Sequence, residues 1–133
     1  MQGIKKAARF AHPLAAATVV GLVFAQVYLI AAYIFGSVDA LDAHMTLGRV
    51  VVGFELLALL TALIGWRSDR QEVRLSVALV VVGLIQVSLA KDVGNSPQVH
   101  ALHGLLALVV VVLASVMTTR TWRVVRHPAA VTS

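Results

Sequence analysis

Four long apolar stretches, with most of the charges in the short connections and the two terminal flanks, limit what this chain can fold into. They cover about residues 13–35, 43–65, 73–90 and 98–118. An α-helix needs about 20 residues to cross a hydrocarbon layer about 30 Å thick, and each stretch has about that length. The sequence therefore predicts four membrane-spanning helices.

The composition supports an all-α membrane protein of one domain. Hydrophobic residues make up 59% of the chain and charged residues 13%, and the mean hydropathy is +0.90. Ordinary soluble domains contain about 25% charged residues. With 133 residues there is no room for a further soluble module, so we predict a single transmembrane domain over residues 1–133. Cysteine is absent, which excludes disulfides, thiol catalysis and iron–sulfur ligation by cysteine.

The basic residues predict the orientation of the chain in the membrane. Nine of them precede the first stretch, lie between the second and third or at the start of the third, or follow the fourth: Lys5, Lys6, Arg9, Arg67, Arg70, Arg74, Arg120, Arg123 and Arg126. The two opposite connections contain one basic residue, Lys91. The positive-inside rule then places both termini in the cytoplasm, as in a multi-pass protein of the bacterial inner membrane. The positive net charge is a signal of topology, and we expect no nucleic-acid partner.

Short connections make consecutive helices antiparallel neighbours, so the expected architecture is an up-down-up-down four-helix bundle. In such a bundle the second and fourth helices occupy opposite corners and run in the same direction. Their first turns hold His44 on the second helix and His100 and His103 on the fourth. We therefore expect these histidines to converge near the outer face of the membrane.

A small residue follows two of these histidines one turn later, which is typical of a haem site. Gly48 follows His44, and Ala107 follows His103. Imidazoles from two facing helices can bind haem b iron from both sides, while small residues let the porphyrin approach the helices. Zinc is the rival metal for such a site, although it usually requires a third or fourth protein ligand. In the alternative interpretation the histidines lie at the membrane interface and the small residues serve helix packing.

Two histidines compete for the second ligand position. The similarity of HMTLG (44–48) to HALHG (100–104) favours His100, whereas depth favours His103, which lies one turn further into the membrane. We predict His103 as the ligand of the haem iron, with His100 as the alternative. Arg49 is expected either to pair with a haem propionate or to extend outward toward Asp42.

Glu55 lies on the same helical face as His44, near the middle of the second stretch. One interpretation is a neutral glutamic acid hydrogen-bonded to Gln26 or Gln86, which would hold the helices together. The other is a site for protons or quinol, and this makes Glu55 a weak catalytic candidate. His12 and His127 lie on the cytoplasmic flanks, where we expect them to be solvated.

The segments DAHMTLGRVVVGFELLALL and VHALHGLLALVVVVLA resemble the ligand-bearing helices of haem A synthases. Each half of that family is a four-helix bundle with haem between histidines on its second and fourth helices, and the chain resembles one half over nearly its whole length. The resemblance implies His44 and His103 as axial ligands. The family's catalytic half has a glutamate three residues before a ligand histidine, where this chain has Leu41, and the family's extracellular cysteine pair is absent. The chain is also similar to small bacterial four-span proteins of the b-type cytochrome kind.

These patterns together predict a small membrane cytochrome with one low-spin, bis-histidine haem b. Such a haem has no open coordination site, which favours electron transfer, with quinol or a redox protein as partner. Whether the chain is itself an enzyme is left open. Two alternatives are a non-catalytic accessory subunit of a larger membrane complex and a small dimeric transporter that uses Glu55 as its coupling carboxylate.

Overall fold

The computed structural model describes residues 1–91 and 96–127. These residues form four α-helices and, over the same two ranges, no strand: α1 (Gln2–Ile34), α2 (Asp39–Gly65), α3 (Arg70–Lys91) and α4 (Pro97–Arg126). Each helix is long and apolar enough to cross a membrane. The prediction of an all-α, multi-pass membrane protein is therefore confirmed at this level.

The helices extend beyond the apolar stretches from which they were predicted. α1 begins at Gln2 rather than near residue 13, and α4 continues to Arg126 rather than ending near residue 118. Lysine and arginine are good helix formers, so the basic flanks continue the helices past the apolar segments. Between α1 and α2 the chain turns at Gly36, whose φ of 104° is a conformation that glycine adopts without a steric cost.

The helices form a four-cornered bundle in which each packs against two neighbours. α1 and α3 both pack against α2 and α4, while α1 and α3 occupy opposite corners, as do α2 and α4. Contacts fix how the ends of α1 and α2 lie. Arg9 Nε donates to the Gly65 carbonyl oxygen over 2.9 Å, so the start of α1 lies beside the end of α2.

Small and β-branched side chains fill the interior of the bundle. The buried hydrophobic core consists of Ala15, Ala16, Val19, Val23, Val51, Ala58, Leu79, Val110, Ala114 and Met117. Small residues allow helices to approach closely, which is how membrane helices gain packing energy. Larger hydrophobic side chains such as Phe24, Leu60 and Leu108 point outward and are exposed, as expected for surfaces that face lipid.

Buried or half-buried polar side chains concentrate toward the two ends of this core. We call the end with His44 and His103 the histidine end, and the end with Arg9 and Arg120 the arginine end. Glu55 lies between them, near the middle of α2. The two ends and Glu55 contain the residues with functional chemistry.

Candidate functional site

At the histidine end, His44 of α2 and His103 of α4 face each other across the bundle. Their ring centres are 6.3 Å apart, and the ring planes are inclined at 67°. Both side chains are half-buried, whereas His100 is exposed. The structure thus brings together the two histidines that were predicted as ligands.

Each of these rings is held through Nδ1 by a backbone carbonyl of a neighbouring helix. The Nδ1 of His44 lies 3.1 Å from the Gln26 carbonyl oxygen, and the Nδ1 of His103 lies 3.2 Å from that of Gln86. An Nδ1–H that donates to a carbonyl fixes the tautomer in which Nε2 carries the lone pair. Histidines that bind metals commonly have this arrangement, which also makes the ligand more basic.

The distance between the rings is the distance that a single metal ion between them would require. A metal–nitrogen bond is about 2.0 Å and a ring atom lies about 1.1 Å from the imidazole centre, so trans imidazoles have centres about 6 Å apart. In residues 1–91 and 96–127, no group of three or more His, Asp or Glu side chains is placed to hold a metal. A zinc ion would lack ligands here, whereas a haem brings four nitrogens of its own and needs only two. The donor set therefore fits haem better than a bare metal ion.

The small residues next to the two histidines are covered by glutamine side chains. A Cβ atom added to Gly48 would lie 3.1 Å from Nε2 of Gln26, whose Oε1 is buried and has no hydrogen-bond partner among the described residues. On the other side, the amide oxygen of Gln86 accepts from the backbone N–H of Ala107 over 3.0 Å. The amide nitrogen donates to the His103 carbonyl oxygen over 2.7 Å, and it lies 2.9 Å from His103 Nδ1, to which it donates in the tautomer whose Nδ1 carries the lone pair. Both glutamine side chains thus line the space beside the rings.

The two halves of the chain place equivalent residues at equivalent positions. Gln26 anchors His44 as Gln86 anchors His103, and a small residue follows each histidine by one turn. His103 is therefore the structural counterpart of His44. The similarity of HMTLG to HALHG, which favoured His100, is three residues out of register, or nearly one helical turn.

Other predicted site residues lie around this pair. Ala107 is half-buried against the core, and Arg49 is exposed. Among the ion pairs of the described residues, none joins Arg49 to Asp42. The two interpretations of Arg49, a contact with a haem propionate and an extension outward toward Asp42, stay predictions.

Glu55 is buried in the middle of the bundle without a partner. It is 1% exposed, and within the described ranges neither carboxyl oxygen has a hydrogen-bond partner. Its carboxyl group lies against Gly83 of α3, where an added Cβ would overlap it. The interpretation that Glu55 bonds to Gln26 or Gln86 is wrong, because Gln26 lies beside Gly48, about two turns away along α2.

The arginine end contains a buried cluster that begins at His12. Solvation was predicted for His12, and this prediction is wrong, because α1 begins at Gln2 and carries the fully buried ring well inside the helix. His12 Nδ1 lies 2.9 Å from the Ala58 carbonyl oxygen and 3.2 Å from Thr61 Oγ1. Its Nε2 lies 3.0 Å from Oε1 of Glu72, which is also fully buried.

From Glu72 the cluster continues to the surface. Arg120 Nε donates to Glu72 Oε2 over 3.4 Å, and Arg120 Nη2 lies 3.5 Å from Asp69 Oδ2. The side chains of Arg120 and Asp69 are each 37% exposed. All four helices contribute to the cluster, which we call the His12–Glu72 cluster. It connects a buried acid–imidazole pair with solvent-accessible charges.

Sequence reasoning missed this cluster, although a signal for it was present. Gln26 follows His12 by the same number of residues as Gln86 follows Glu72. The correspondence between the two halves of the chain therefore makes His12 and Glu72 equivalent positions. They lie on helices at opposite corners, where their side chains can meet.

Comparisons with protein-family models, with curated proteins and with solved structures found no match for the chain. What supports a function is the geometry of the chain's own residues. The strongest feature of that geometry is the pair of anchored imidazoles at the histidine end.

Proposed function

We propose that the chain is a small membrane cytochrome that binds one haem b between His44 and His103 and transfers electrons. The observation that carries the proposal is the placement of these two rings, from opposite helices, with centres 6.3 Å apart. The Nδ1 of each ring lies beside a backbone carbonyl, and the tautomer in which Nδ1–H donates to that carbonyl leaves Nε2 to bind iron.

The residues of the site have distinct roles in this proposal. His44 and His103 would hold the haem iron, and Gly48 and Ala107 would keep side-chain volume away from the porphyrin. Arg49, which is exposed, is available to a propionate. A bis-histidine haem supplies one-electron transfer without an open position for oxygen. The carbonyl contacts at Nδ1 hold both rings in place as the charge at the site changes.

We further propose an up-down-up-down topology with both termini in the cytoplasm. Arg9 contacts the end of α2, and Arg120 contacts Asp69 and Glu72 near the start of α3. These contacts support antiparallel neighbours. The nine basic residues outside or at the edge of the predicted spans, collected at the arginine end, support a cytoplasmic position for that end. The histidine end then faces the outer side of a bacterial inner membrane, where quinol or a redox protein would exchange electrons.

An absorption spectrum tests the proposal. The protein, produced with a supply of haem and purified in mild detergent, is expected to show a Soret band and, after dithionite reduction, the split visible bands of a low-spin haem. The matched control is the His44→Ala/His103→Ala double variant, which is expected to be colourless in the same preparation. A colourless wild-type protein would contradict the proposal and favour an accessory subunit or a transporter.

The burial of Glu55 favours a second candidate function, a small dimeric transporter. A carboxyl group without a partner at mid-membrane depth commonly marks an ion or substrate pathway. In that case the purified protein would contain no haem. Ion uptake into vesicles that contain the protein would be lost in Glu55→Gln.

A further inference from the structure

Glu55 has no role in the proposed electron transfer, yet the structure makes specific room for it. The side chain is 1% exposed, and neither carboxyl oxygen is hydrogen-bonded within the described part of the chain. The room comes from Gly83, because a Cβ atom at that position would overlap the carboxyl group. An unpaired carboxyl group in a low-dielectric interior is costly to keep charged. Such a position suits a group that gains and loses a proton.

The position of Glu55 links the two polar ends of the bundle. It follows His44 by eleven residues, a rise of about 16 Å along α2. In the other direction it precedes Ala58 by three residues, a rise of about 5 Å. The carbonyl oxygen of Ala58 contacts His12 Nδ1, so the His12–Glu72 cluster reaches to within one helical turn of Glu55.

The His12–Glu72 cluster supplies a route for protons from the surface. Glu72 bonds to both His12 and Arg120, and Arg120 pairs with Asp69 at the partly exposed edge of the bundle. Imidazole and carboxyl groups both exchange protons with their hydrogen-bond partners. The cluster therefore leads from solvent at the arginine end inward toward Glu55.

The charged and titratable groups on the surrounding helices lie toward the two ends of the bundle. Toward the arginine end these are His12 of α1, Glu72 of α3 and Arg120 of α4. Toward the histidine end they are His44 and Arg49 of α2, Asp39 and Asp42 in the first turn of α2, and His100 and His103 of α4. Glu55 is thus the acidic group between the proposed haem and the cluster. In a low dielectric, an electron added at the haem makes a carboxylate at Glu55 less favourable, and protonation relieves the repulsion.

We propose that Glu55 takes up one proton from the arginine end for each electron that the haem receives, and releases it when the electron leaves. This inference rests on the proposed function. A one-electron donor supplies the electron, which reduces ferric to ferrous iron. Hydronium in the solvent at the arginine end supplies the proton and becomes water, and the proton adds to the Glu55 carboxylate to give the carboxylic acid. No other bond changes.

The test is a potentiometric titration of the haem-loaded protein at several pH values, with dithionite as the reductant. The midpoint potential of the wild type is expected to fall as pH rises through the range in which Glu55 is a carboxylate in the oxidised protein and a carboxylic acid in the reduced protein. The slope should approach about 59 mV per pH unit, the tenfold change for a one-electron couple. Glu55→Gln is expected to abolish the slope and leave the absorption spectrum unchanged. Asp39→Asn, at an exposed position, should keep the wild-type slope.

A second variant separates the proton acceptor, Glu55, from the proton route through the His12–Glu72 cluster. Glu72→Gln is expected to keep the slope, because the equilibrium acceptor is intact. It should slow the proton uptake that a pH indicator records after rapid reduction. An unchanged uptake rate in Glu72→Gln would show that protons do not pass through the His12–Glu72 cluster, and would overturn that part of the proposal.

A wild-type protein that holds low-spin haem, but whose potential does not change with pH, would overturn the inference and leave the proposed function standing. A wild type without haem would instead overturn the proposed function, and the inference with it. If Glu55→Gln does not fold, the reduced-minus-oxidised infrared spectrum of the wild type decides. A carboxylic acid carbonyl band that grows on reduction supports the proposal, and its absence contradicts it.

Discussion

The Nε2 of His12 lies 3.0 Å from Oε1 of Glu72, although α1 and α3 occupy opposite corners of the bundle. Both side chains are fully buried, so their contact crosses the interior rather than the surface. Removing one member of a buried, hydrogen-bonded pair leaves the other without a partner, which is strongly destabilising. The pair should therefore matter to the stability of the arginine end.

Glu72→Ala is expected to lower the free energy of unfolding by about 3 kcal/mol or more, because it leaves His12 and Arg120 without their shared acceptor. Denaturation in mixed detergent micelles measures this. Asp39→Ala, at an exposed position, should cost about 0.5 kcal/mol or less and serves as the control. The loss in the His12→Ala/Glu72→Ala double variant should be smaller than the sum of the two single losses. A Glu72→Ala variant as stable as the control would show that the pair does not stabilise the bundle.

Gly83→Ala is expected to destabilise the protein by about 1–3 kcal/mol, because the added methyl group overlaps the Glu55 carboxyl group. Thermal unfolding monitored by circular dichroism measures the effect. Gly53→Ala and Gly21→Ala are matched controls, since an added Cβ meets no atom within 4 Å at either position. Combining Gly83→Ala with Glu55→Ala should restore part of the lost stability. Equal stabilities of the Gly83 and Gly53 variants would contradict the contact between Gly83 and Glu55.

The sequence was sufficient to predict the four helices and the meeting of His44 with His103. Both histidines lie in the first turns of helices that the short connections place at opposite corners, and both lie at similar depth. The choice between His100 and His103 needed the correct alignment of the second half of the chain with the first half, which we call their register. That register becomes visible when each histidine is paired with the glutamine carbonyl that anchors it.

The sequence did not predict the burial of His12 or the isolation of Glu55. A polar residue beside a basic flank reads as solvated, and only the extension of α1 to Gln2 shows that His12 lies inside the bundle. The partners of Glu55 depend on the rotation of α3, which turns Gly83, not Gln86, toward the carboxyl group. Neither the length of a helix past its apolar stretch nor its rotation is fixed by hydropathy alone.

Gly48→Leu is expected to abolish haem binding, because the larger side chain would fill the space beside the ring of His44 without removing a ligand. A Cβ there would lie 3.1 Å from Gln26 Nε2, so the larger side chain would also displace Gln26. Gly104→Leu is the matched control on α4, since its Cβ would meet no atom within 4 Å. The haem-to-protein absorbance ratio of the purified variants measures the effect. Retention of haem in Gly48→Leu would contradict the proposed position of the porphyrin.

Reporter fusions test the proposed orientation. A reporter at Asp39 is expected to be active outside the cytoplasm, and one at Asp69 inside, because the basic residues collect at the arginine end. A reporter at Asn95, a position that is not among the described residues, is also expected to be active outside the cytoplasm. A cytoplasmic signal from the Asp39 fusion would place the histidine end on the wrong side of the membrane.

The most direct test of the central claim is the absorption spectrum of three single variants: His44→Ala, His103→Ala and His100→Ala. The two histidines whose rings face each other at 6.3 Å should each be indispensable, because the loss of either removes one axial bond. We therefore predict that His44→Ala and His103→Ala each lose the low-spin spectrum. His100→Ala, which removes an exposed ring, should keep it. A spectrum that survives in His103→Ala but is lost in His100→Ala would contradict the assignment of His103. A low-spin spectrum that is unchanged in all three variants would show that haem does not bind between α2 and α4.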